Sequence, residues 1–272
     1  MTAAPRPRAE LRAPRRIGRV HWRGLWTHYR YGLVRYFKFG LEAVVGPILS
    51  SLLFLAVFSI ALADTQTLQG GTSFIQFLVP GIVMFTMIHT AFSLAAFPIV
   101  YDKLEGSMQD LLMSPLAPWE VCVGYVLSGA TGGAVVGGVT LAIAWAFVPL
   151  AMAGPLWLLL FAAMAALLFA SVGVVVGLWA EKWDQLSVAD TFLMLPLGFL
   201  SGAFFTLDSV PALGRTLIQL NPVFYAIDGA RRGTLGWSAA DPALGALVVA
   251  LLVLAFGALA WRLFAVGYKI KP

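Results

Sequence analysis

The feature that most constrains the fold is a stretch of 60 consecutive residues, Val121 to Ala180, without a formal charge. As one α-helix it would be about 90 Å long at ~1.5 Å per residue, whereas the hydrocarbon core of a bilayer is only ~30 Å thick. The stretch must therefore cross a membrane twice. Pro149, Gly154 and Pro155 mark the reversal, because such residues end helices and permit turns.

The composition of the whole chain supports a lipid environment. Apolar residues make up 60% of the 272 residues and charged residues 11%, less than half of the roughly 25% usual in soluble proteins. This balance excludes an ordinary soluble globule. A transmembrane β-barrel is also excluded, because its strands alternate polar and apolar residues, whereas these runs are apolar on all faces. We predict an all-α integral membrane protein.

Six segments are long and apolar enough to be transmembrane helices. The fifth contains Asp190, which we place near the membrane surface because Glu181, Lys182 and Asp184 precede it closely, and the sixth has Arg262 near its end. Together they form a single predicted domain over residues 41–272. The predicted spans are 43–63, 74–100, 120–148, 155–180, 186–206 and 243–265.

Lysine and arginine are distributed unevenly over the predicted loops. Ten of the 18 basic residues lie in the first 38 residues, and 15 fall on the side that carries both termini, against Arg215, Arg231 and Arg232 on the other. Because basic loops remain in the cytoplasm, both termini are predicted to be cytoplasmic. The basic arm then orients the protein and predicts no nucleic-acid partner. Its first part, residues 1–14, is predicted to be a disordered tail.

A predicted amphipathic helix over residues 15–40 precedes the first span. Apolar and aromatic residues recur there at three- and four-residue steps, and basic residues such as Arg30 fall mostly elsewhere around the helix. The helix could be an orienting anchor or part of a docking platform for a cytosolic partner. Its apolar stripe consists of Trp22, Leu25, Trp26, Tyr29, Leu33, Tyr36 and Phe37.

Another short helix is predicted over residues 101–118, on the cytoplasmic side between spans two and three. Its apolar residues lie at helical spacing with charges between them, and Pro115 and Pro118 stop the helix. An exposed apolar stripe of this kind either lies among lipid headgroups or fits a groove on another protein. The stripe consists of Leu104, Met108, Leu111 and Leu112.

On the outer side, residues 207–236 form two predicted half-helices separated by Asn221-Pro222. The first is predicted to start at a cap supplied by Asp208 or Ser209, and the second to end at Gly233. Each is too short to span a bilayer. They predict a re-entrant hairpin between spans five and six, with an amphipathic cap on the outer surface as the alternative.

In this order around six spans, the three segments resemble the membrane subunit of ABC-2 type exporters, which move polysaccharides, teichoic acids, lipooligosaccharides and some antibiotics. The resemblance covers nearly the whole chain from about Gly24. It rests on three motifs: Phe77-Leu78-Val79-Pro80-Gly81, Lys103-Leu104-Glu105-Gly106-Ser107 with Leu111-Leu112-Met113-Ser114-Pro115-Leu116, and Leu200-Ser201-Gly202-Ala203-Phe204-Phe205 leading to Asn221-Pro222.

The resemblance implies roles for the first two short helices. The helix over 15–40 would be the interface helix, and the segment 101–118 would be the coupling helix that fits a groove of an ATPase subunit. The outer pair would close the extracellular side. The implied coupling residues are Asp102, Lys103, Leu104, Glu105, Gly106, Ser107, Met108, Leu111, Leu112, Pro115 and Pro118.

The resemblance also implies partners in a bacterial inner membrane. The chain has no Gly-Lys dipeptide and therefore no phosphate-binding G-x-x-x-x-G-K-[ST] loop, so we expect no ATPase site of its own. ATP and Mg would be bound by a separate ATPase subunit, in two copies. A second copy of the permease is expected in a homodimer, although a related subunit could replace it. Membrane lipid is the remaining expected partner.

Candidate conduit or gate residues lie in span two and around the outer re-entrant segment. His89 sits in span two beside Thr86, Thr90 and Ser93, and would either contact a substrate headgroup or bond a neighbouring helix. The charged Asp228, Arg231 and Arg232 are predicted to hold the re-entrant helices by ion pairing or to meet anionic headgroups. The further candidates are Phe204, Phe205, Asn221, Pro222, Phe224 and Tyr225.

Other functions remain open at this point. The single cysteine, Cys122, excludes a multi-cysteine metal site, and no metalloprotease or serine-hydrolase motif is present. An ion-coupled secondary transporter or a membrane scaffold without transport activity is the alternative to the exporter. The cytoplasmic amphipathic segment favours the exporter.

Overall fold

The computed structural model describes residues 20–38, 44–61, 72–207 and 210–270. The predicted tail 1–14, both ends of the predicted interface helix and the cap residues Asp208 and Ser209 lie outside them. Within the described residues, eleven α-helices and one π-helical turn form the fold. They are α1 (Trp22–Lys38), α2 (Gly46–Ala61), α3 (Phe74–Leu104), α4 (Ser107–Met113), α5 (Pro118–Phe147), α6 (Pro155–Trp179), α7 (Trp183–Ala189), the π-turn (Asp190–Met194), α8 (Leu195–Phe199), α9 (Ala212–Leu220), α10 (Pro222–Leu235) and α11 (Pro242–Val266).

Four helices of the described part, α3, α5, α6 and α11, are long and apolar enough to cross a membrane. The chain is thus an all-helical integral membrane protein. Apolar α2 has 16 residues, about 24 Å at ~1.5 Å per residue, and falls within the predicted first span, 43–63. Residues 43, 62 and 63 of that span lie outside the described part.

The predicted fifth span, 186–206, differs from the structure in bounds and in form. The helical path begins at Trp183, widens into the π-turn and ends at Phe199. Pro196 has no N–H, so the carbonyl group of Phe192 loses its intrahelical donor, which accounts for a wide turn at this place. Beyond Phe199 the chain turns through Gly202, whose φ is +69°, and this positive φ is incompatible with a continuing helix.

Helix α3 forms the centre of the bundle because small residues on two neighbours let them approach it closely. A Cβ placed on Gly133 of α5 would lie 2.6 Å from Cβ of Ala91, and one on Gly177 of α6 would lie 2.9 Å from the carbonyl oxygen of Ala96. Gly129 and Gly137 make similar approaches to the same side of α3. The glycines therefore set how tightly α3, α5 and α6 pack.

The bundle has two ends, which position the candidate site residues. One end, here called the α4 end, carries α4, the start of α1 and the segment after α11. At this end Glu120 accepts a hydrogen bond from His21, and Lys269 pairs with Glu181. The opposite α10 end carries the start of α3 and the helices α9 and α10. There Gln76 donates to the carbonyl oxygen of Pro149.

Candidate functional site

Helix α1 is held against the bundle by three polar contacts along its length. The backbone N–H of His21 donates to Oε1 of Glu120 at 2.6 Å, and the hydroxyl groups of Tyr29 and Thr131 lie 3.1 Å apart. Near the C-terminal end of α1, Nη1 of Arg35 lies 2.7 Å from Oδ1 of Asp102. These contacts fix both the position of α1 and its rotation about its own axis.

The apolar stripe predicted on α1 divides between two surroundings. Leu25, Tyr29 and Leu33 are half-buried against the bundle, whereas Trp22 and Trp26 are 71% and 62% exposed. Arg30 is also exposed. Exposed tryptophans beside a basic residue are typical of a membrane–water interface. Helix α1 thus packs one face on the bundle and leaves the other exposed.

Asp102 is the point at which four helices meet. Its carboxylate accepts hydrogen bonds from Arg35 of α1, from the hydroxyl group of Tyr125 of α5 at 2.7 Å and from that of Ser107 of α4 at 3.1 Å. The residue is 8% exposed. A buried carboxylate needs such partners, because an unpaired charge in this position is strongly unfavourable. The arrangement, called here the Asp102 network, links α1, α3, α4 and α5.

The segment predicted as one helix over 101–118 consists of separate pieces. Helix α3 continues to Leu104, Gly106 adopts a left-handed conformation with φ of +77°, and α4 then runs to Met113. Pro118 is the first residue of α5. The positive φ of Gly106 separates α3 from α4, because residues in that conformation do not continue a right-handed helix.

Helix α4 packs on one side and is open on the other. Met108 is 2% exposed, and Leu111 is partly buried against the same core. On the open side Met113 is 85% exposed. The other exposed residues of this surface, called here the α4 surface, are Leu104, Glu105, Gly106, Ser107, Gln109, Asp110, Leu112, Pro115 and Pro118. They combine apolar side chains with two carboxylates.

Lys103 does not belong to the α4 surface, although the sequence placed it among the coupling residues. Its Nζ donates to the carbonyl oxygens of Gly177, Leu178 and Ala180, at 3.0, 2.5 and 3.0 Å. These oxygens lie at the C-terminal end of α6, where carbonyl groups lack intrahelical donors. Lys103 therefore caps α6 and ties it to α3.

The last described residues close the same end of the bundle. Nζ of Lys269 lies 2.8 Å from Oε1 of Glu181. The hydrogen bond from Lys269 lowers the pKa of Glu181, and the same bond raises the pKa of Lys269. Both side chains are solvated, so this pair adds little to stability on its own. It nevertheless places the C-terminal segment beside α4 and α6.

A half-buried histidine lies between α1 and α5. The His28 ring contacts the Tyr125 ring edge-on, with centroids 4.6 Å apart, and its Nε2 is buried without a hydrogen-bond partner. Burial lowers the pKa of His28, because the charged form loses its hydration. The hydrogen bond to the backbone of Val121 and the charge of Asp102 act in the opposite direction.

At the α10 end, Asn221-Pro222 separates α9 from α10 and starts α10. Oδ1 of Asn221 accepts from the N–H of Val223, which caps the helix, and Nδ2 donates to the carbonyl oxygen of Leu197 at 2.7 Å. Pro222 occupies the first helical position, where a missing N–H does no harm. This boundary therefore also fixes α10 to the end of α8.

Helix α10 is longer than the sequence predicted. It ends at Gly236, with φ of +86°, and not at Gly233. A Cβ on Gly233 would lie 2.6 Å from the backbone nitrogen of Leu158. Gly233 therefore permits close packing of α10 on α6 within the helix, whereas Gly236 supplies the left-handed conformation that ends it.

The charged residues of α10 bind backbone groups. Nη2 of Arg231 donates to the carbonyl oxygens of Gly202 and Ala203 at 2.9 and 3.1 Å, and the guanidinium group lies 3.5 Å from the centre of the Phe77 ring. Asp228 accepts from the N–H groups of Ala239 and Ala240, each at 2.8 Å. The sequence predicted ion pairing or contacts with anionic headgroups for these residues. In the structure, these residues bind the backbone of the loops at the α10 end.

The aromatic gate candidates point in different directions. Phe204 contacts Phe54, with ring centroids 5.6 Å apart, and also contacts Phe199. Phe205 and Phe224 line a separate cavity of about 430 Å³ at the α10 end. Tyr225 is half-buried beside α11. Its ring also contacts that of Phe224 edge-on, with centroids 5.3 Å apart. Phe204 is therefore separate from the other three.

His89, at the middle of α3, faces Asp190. Its Nε2 lies 3.2 and 3.3 Å from the two carboxylate oxygens. The sequence placed Asp190 near the membrane surface. However, Trp183 already packs beside Phe97 and Tyr101, so Asp190 lies about two helical turns deeper, at the level of His89.

These features define a multi-pass, all-helical membrane protein with a surface helix at one end and an exposed apolar turn beside it. Comparison with known proteins places the chain more narrowly. The ABC-2 type transporter family matches residues 23–235, so the chain belongs to this family, whose members are membrane transport subunits that work with ATPase subunits of ABC transporters.

Two groups of curated proteins illustrate the relationship. The chain is 28% identical over 252 residues to the inner membrane transport permease YadH of Escherichia coli strain K12, covering 93% of this chain and 98% of the relative. It is 27% identical over 240 residues to nodulation protein J of Rhizobium leguminosarum bv. trifolii, covering 87% and 90%. The similarity thus extends over nearly the whole length of each protein.

Proposed function

We propose that the chain is the permease subunit of an ATP-driven exporter in a bacterial inner membrane. It would move an amphipathic or lipid-linked substrate, such as a glycan, glycolipid or drug, out of the cytoplasm or the inner leaflet. Family membership and the transport permease among the relatives support this proposal. In the proposed topology, α2 and the helical path from α7 to α8 complete six crossings, and the α4 end faces the cytoplasm.

The observation that carries the proposal is the placement of the Asp102 network behind the α4 surface. The outer side of α4 exposes Leu112 and Met113, an apolar surface suited to a groove on a partner protein. At the start of α4, the exposed Ser107 donates to the carboxylate that also binds Arg35 and Tyr125. A displacement of α4 would therefore be passed to α1, α3 and α5 together.

We infer a mechanism in which an ATPase subunit docks on the α4 surface and ATP provides the motion. Closure of two ATPase subunits would push α4, and the tightly packed α3, α5 and α6 would follow as one body because their close glycine contacts resist internal sliding. Two permease copies moving in this way would open a path between them. ATP and Mg would remain on the ATPase subunits.

The proposal is tested by a matched pair of substitutions at opposite ends of the bundle. Met113 is 85% exposed on α4, and Leu213 is 78% exposed on α9. We expect Met113→Glu to abolish co-purification with the cognate ATPase and the stimulation of its turnover, while Leu213→Glu retains both. Glu105→Lys is expected to weaken stimulation and export without unfolding the membrane part.

The control for folding is the thermal unfolding of the purified permease, which neither glutamate substitution should change by more than about 0.5 kcal/mol. Undiminished binding and stimulation of the ATPase by the Met113→Glu protein would rule out the α4 surface as the docking site. Equal loss in both proteins would rule it out as well, since the effect would not depend on the end of the bundle.

A further inference from the structure

Helix α1 turns a basic and aromatic face away from the bundle. Three basic side chains on this face, those of Arg23, Arg30 and Lys38, have no hydrogen-bond or ion-pair partner within the described part of the chain. The helix itself contains no acidic residue. The face therefore keeps its positive charge. Its main residues, called here the open face of α1, are Trp22, Arg23, Trp26, Arg30, Tyr31 and Lys38.

The acidic side chains of the helices packed on α1 do not neutralise this charge. Asp102 is bound by Arg35, and Glu120 accepts from two backbone N–H groups. Asp110 of α4 is exposed and lines a cavity of about 320 Å³ between α1 and α4. Of the open face, Tyr31 is the one residue that borders this cavity. The acid therefore lies at one edge of the face and not among its arginines.

Helical spacing arranges the open face in rows. Arg23 and Arg30 are about two turns apart and lie on the same line along α1. Trp22 and Trp26, which are 71% and 62% exposed, lie beside that line, on the side away from Tyr31 and the α4 cavity. The edge of the open face that points away from α4 is therefore aromatic, and the guanidinium groups lie next to it.

This order suits the headgroup region of a bilayer. Indole rings favour the boundary between hydrocarbon and headgroups, and guanidinium groups hold phosphate oxygens with a fork of N–H donors. An interfacial helix that combines tryptophan with arginine binds more strongly when the lipids are anionic. The ammonium group of a phosphatidylcholine headgroup offsets that attraction, whereas phosphatidylglycerol keeps its negative charge.

We propose that the open face of α1 is a binding site for anionic phospholipids of the leaflet that surrounds the α4 end. Arg23 and Arg30 pair with the phosphate groups, and the two tryptophans contact the glycerol and upper acyl region. Because Arg35 ties α1 to Asp102, a lipid on this face also holds α1 beside the Asp102 network. The site concerns the lipid around the permease and not its cargo, and it leaves the α4 surface free for the ATPase.

Native mass spectrometry of the purified permease, released from nanodiscs, counts the phospholipids that stay bound. The nanodiscs contain phosphatidylglycerol and phosphatidylcholine in equal amounts and with the same acyl chains. We expect the wild-type protein to retain an excess of phosphatidylglycerol. The double variant Arg23→Gln with Arg30→Gln should lower the ratio of the two lipids by about tenfold, because both phosphate-binding charges are lost. Arg23→Lys with Arg30→Lys keeps the charges and should keep most of the excess.

The matched control, Lys182→Gln with Arg262→Gln, removes two exposed basic residues outside α1 and should leave the ratio unchanged. An equal fall in the control, or an undiminished ratio in the Arg23 and Arg30 glutamine protein, would overturn the proposal. If the latter protein keeps the ratio but no longer co-purifies with the ATPase, the open face belongs to that subunit instead.

If the glutamine protein does not fold, salt takes over the test on the wild-type protein. In nanodiscs equilibrated at about 1 M ammonium acetate, charges are screened over about 3 Å, and the ratio should approach one. A ratio that salt does not change contradicts the assignment. The lipid measurement contains no ATPase, so its failure leaves the docking of the ATPase on α4 unaffected.

Discussion

Asp102 illustrates how one side chain can make four helices act together. The apolar stripe of α1 predicted that this helix lies near the membrane surface. It did not predict that Arg35 would face Asp102, or that Tyr125 would be a further hydrogen-bond donor to the same carboxylate. The contacts with Arg35 and Tyr125 join residues far apart in sequence, and no local spacing predicts such pairs. What the sequence does indicate is that Asp102 needs a partner. An acid directly after a long apolar run becomes buried and then needs a cationic partner.

A double-mutant cycle tests this coupling at the residue scale. We expect Asp102→Asn to lower the free energy of unfolding by about 1–3 kcal/mol, because Arg35 loses its charged partner. Arg35→Gln should cost a similar amount. The double mutant should be less destabilised than the sum of the two, by about 0.5–3 kcal/mol. The measurement is thermal unfolding of the purified permease in detergent.

The same variants separate stability from coupling. Asp102→Asn should also reduce the stimulation of the ATPase, whereas Asp110→Asn, which removes an exposed acid from α4, should leave unfolding within about 0.5 kcal/mol. Additive effects of the Asp102 and Arg35 substitutions would show that the two side chains do not act as a unit.

At the element scale, the sequence predicted long helices better than broken ones. Uncharged runs of about 25 residues predicted helices close to α3, α5, α6 and α11, because a bilayer demands continuous helical hydrogen bonding. The path from α7 to α8 was less predictable. Its π-turn and its end at Phe199 depend on Pro196, Gly202 and the contact of Asp190 with His89, which only the packed structure brings together.

The close packing of α3 on α5 gives a prediction about two glycines of the same helix. A Cβ on Gly133 would lie within 2.6 Å of Ala91, whereas one on Gly138 would meet nothing within 4 Å. Gly133→Ala should therefore destabilise the permease by about 1–3 kcal/mol through overpacking. Gly138→Ala should be neutral or stabilise it by up to about 1 kcal/mol, since alanine favours helix.

Thermal unfolding of the two alanine variants in the same detergent compares their stabilities and so tests this prediction. Equal stability of both proteins would mean that α5 can move away from α3 at little cost. The rigid-body transmission proposed for α3, α5 and α6 would then lose its basis, because a soft interface absorbs a displacement instead of passing it on.

At the scale of the whole molecule, the two ends of the bundle must face different compartments. The α4 end carries α1 with its exposed tryptophans and Arg30, whereas the α10 end carries the loops held by Asp228 and Arg231. The excess of lysine and arginine on the terminal side of the predicted topology predicts that the α4 end lies in the cytoplasm. The inference depends on six crossings, and therefore on α2 and the path from α7 to α8.

Cysteine labelling tests this orientation directly. The single native thiol, Cys122, is buried, so the background reaction should be small. Gln109 on α4 and Thr216 on α9 are both exposed and can be replaced by cysteine singly. In intact spheroplasts, a membrane-impermeant maleimide should label the Thr216→Cys protein, and the Gln109→Cys protein should react only after permeabilisation.

The reverse pattern would place the α4 surface outside the cell, where no ATP-driven partner could reach it, and would eliminate the proposed docking. Labelling of both cysteines in intact spheroplasts would place both ends on one side of the membrane, which is incompatible with helices such as α3 that run the full distance between them. Only labelling confined to Thr216→Cys is consistent with an ATPase that acts at α4 and a path that opens at the α10 end.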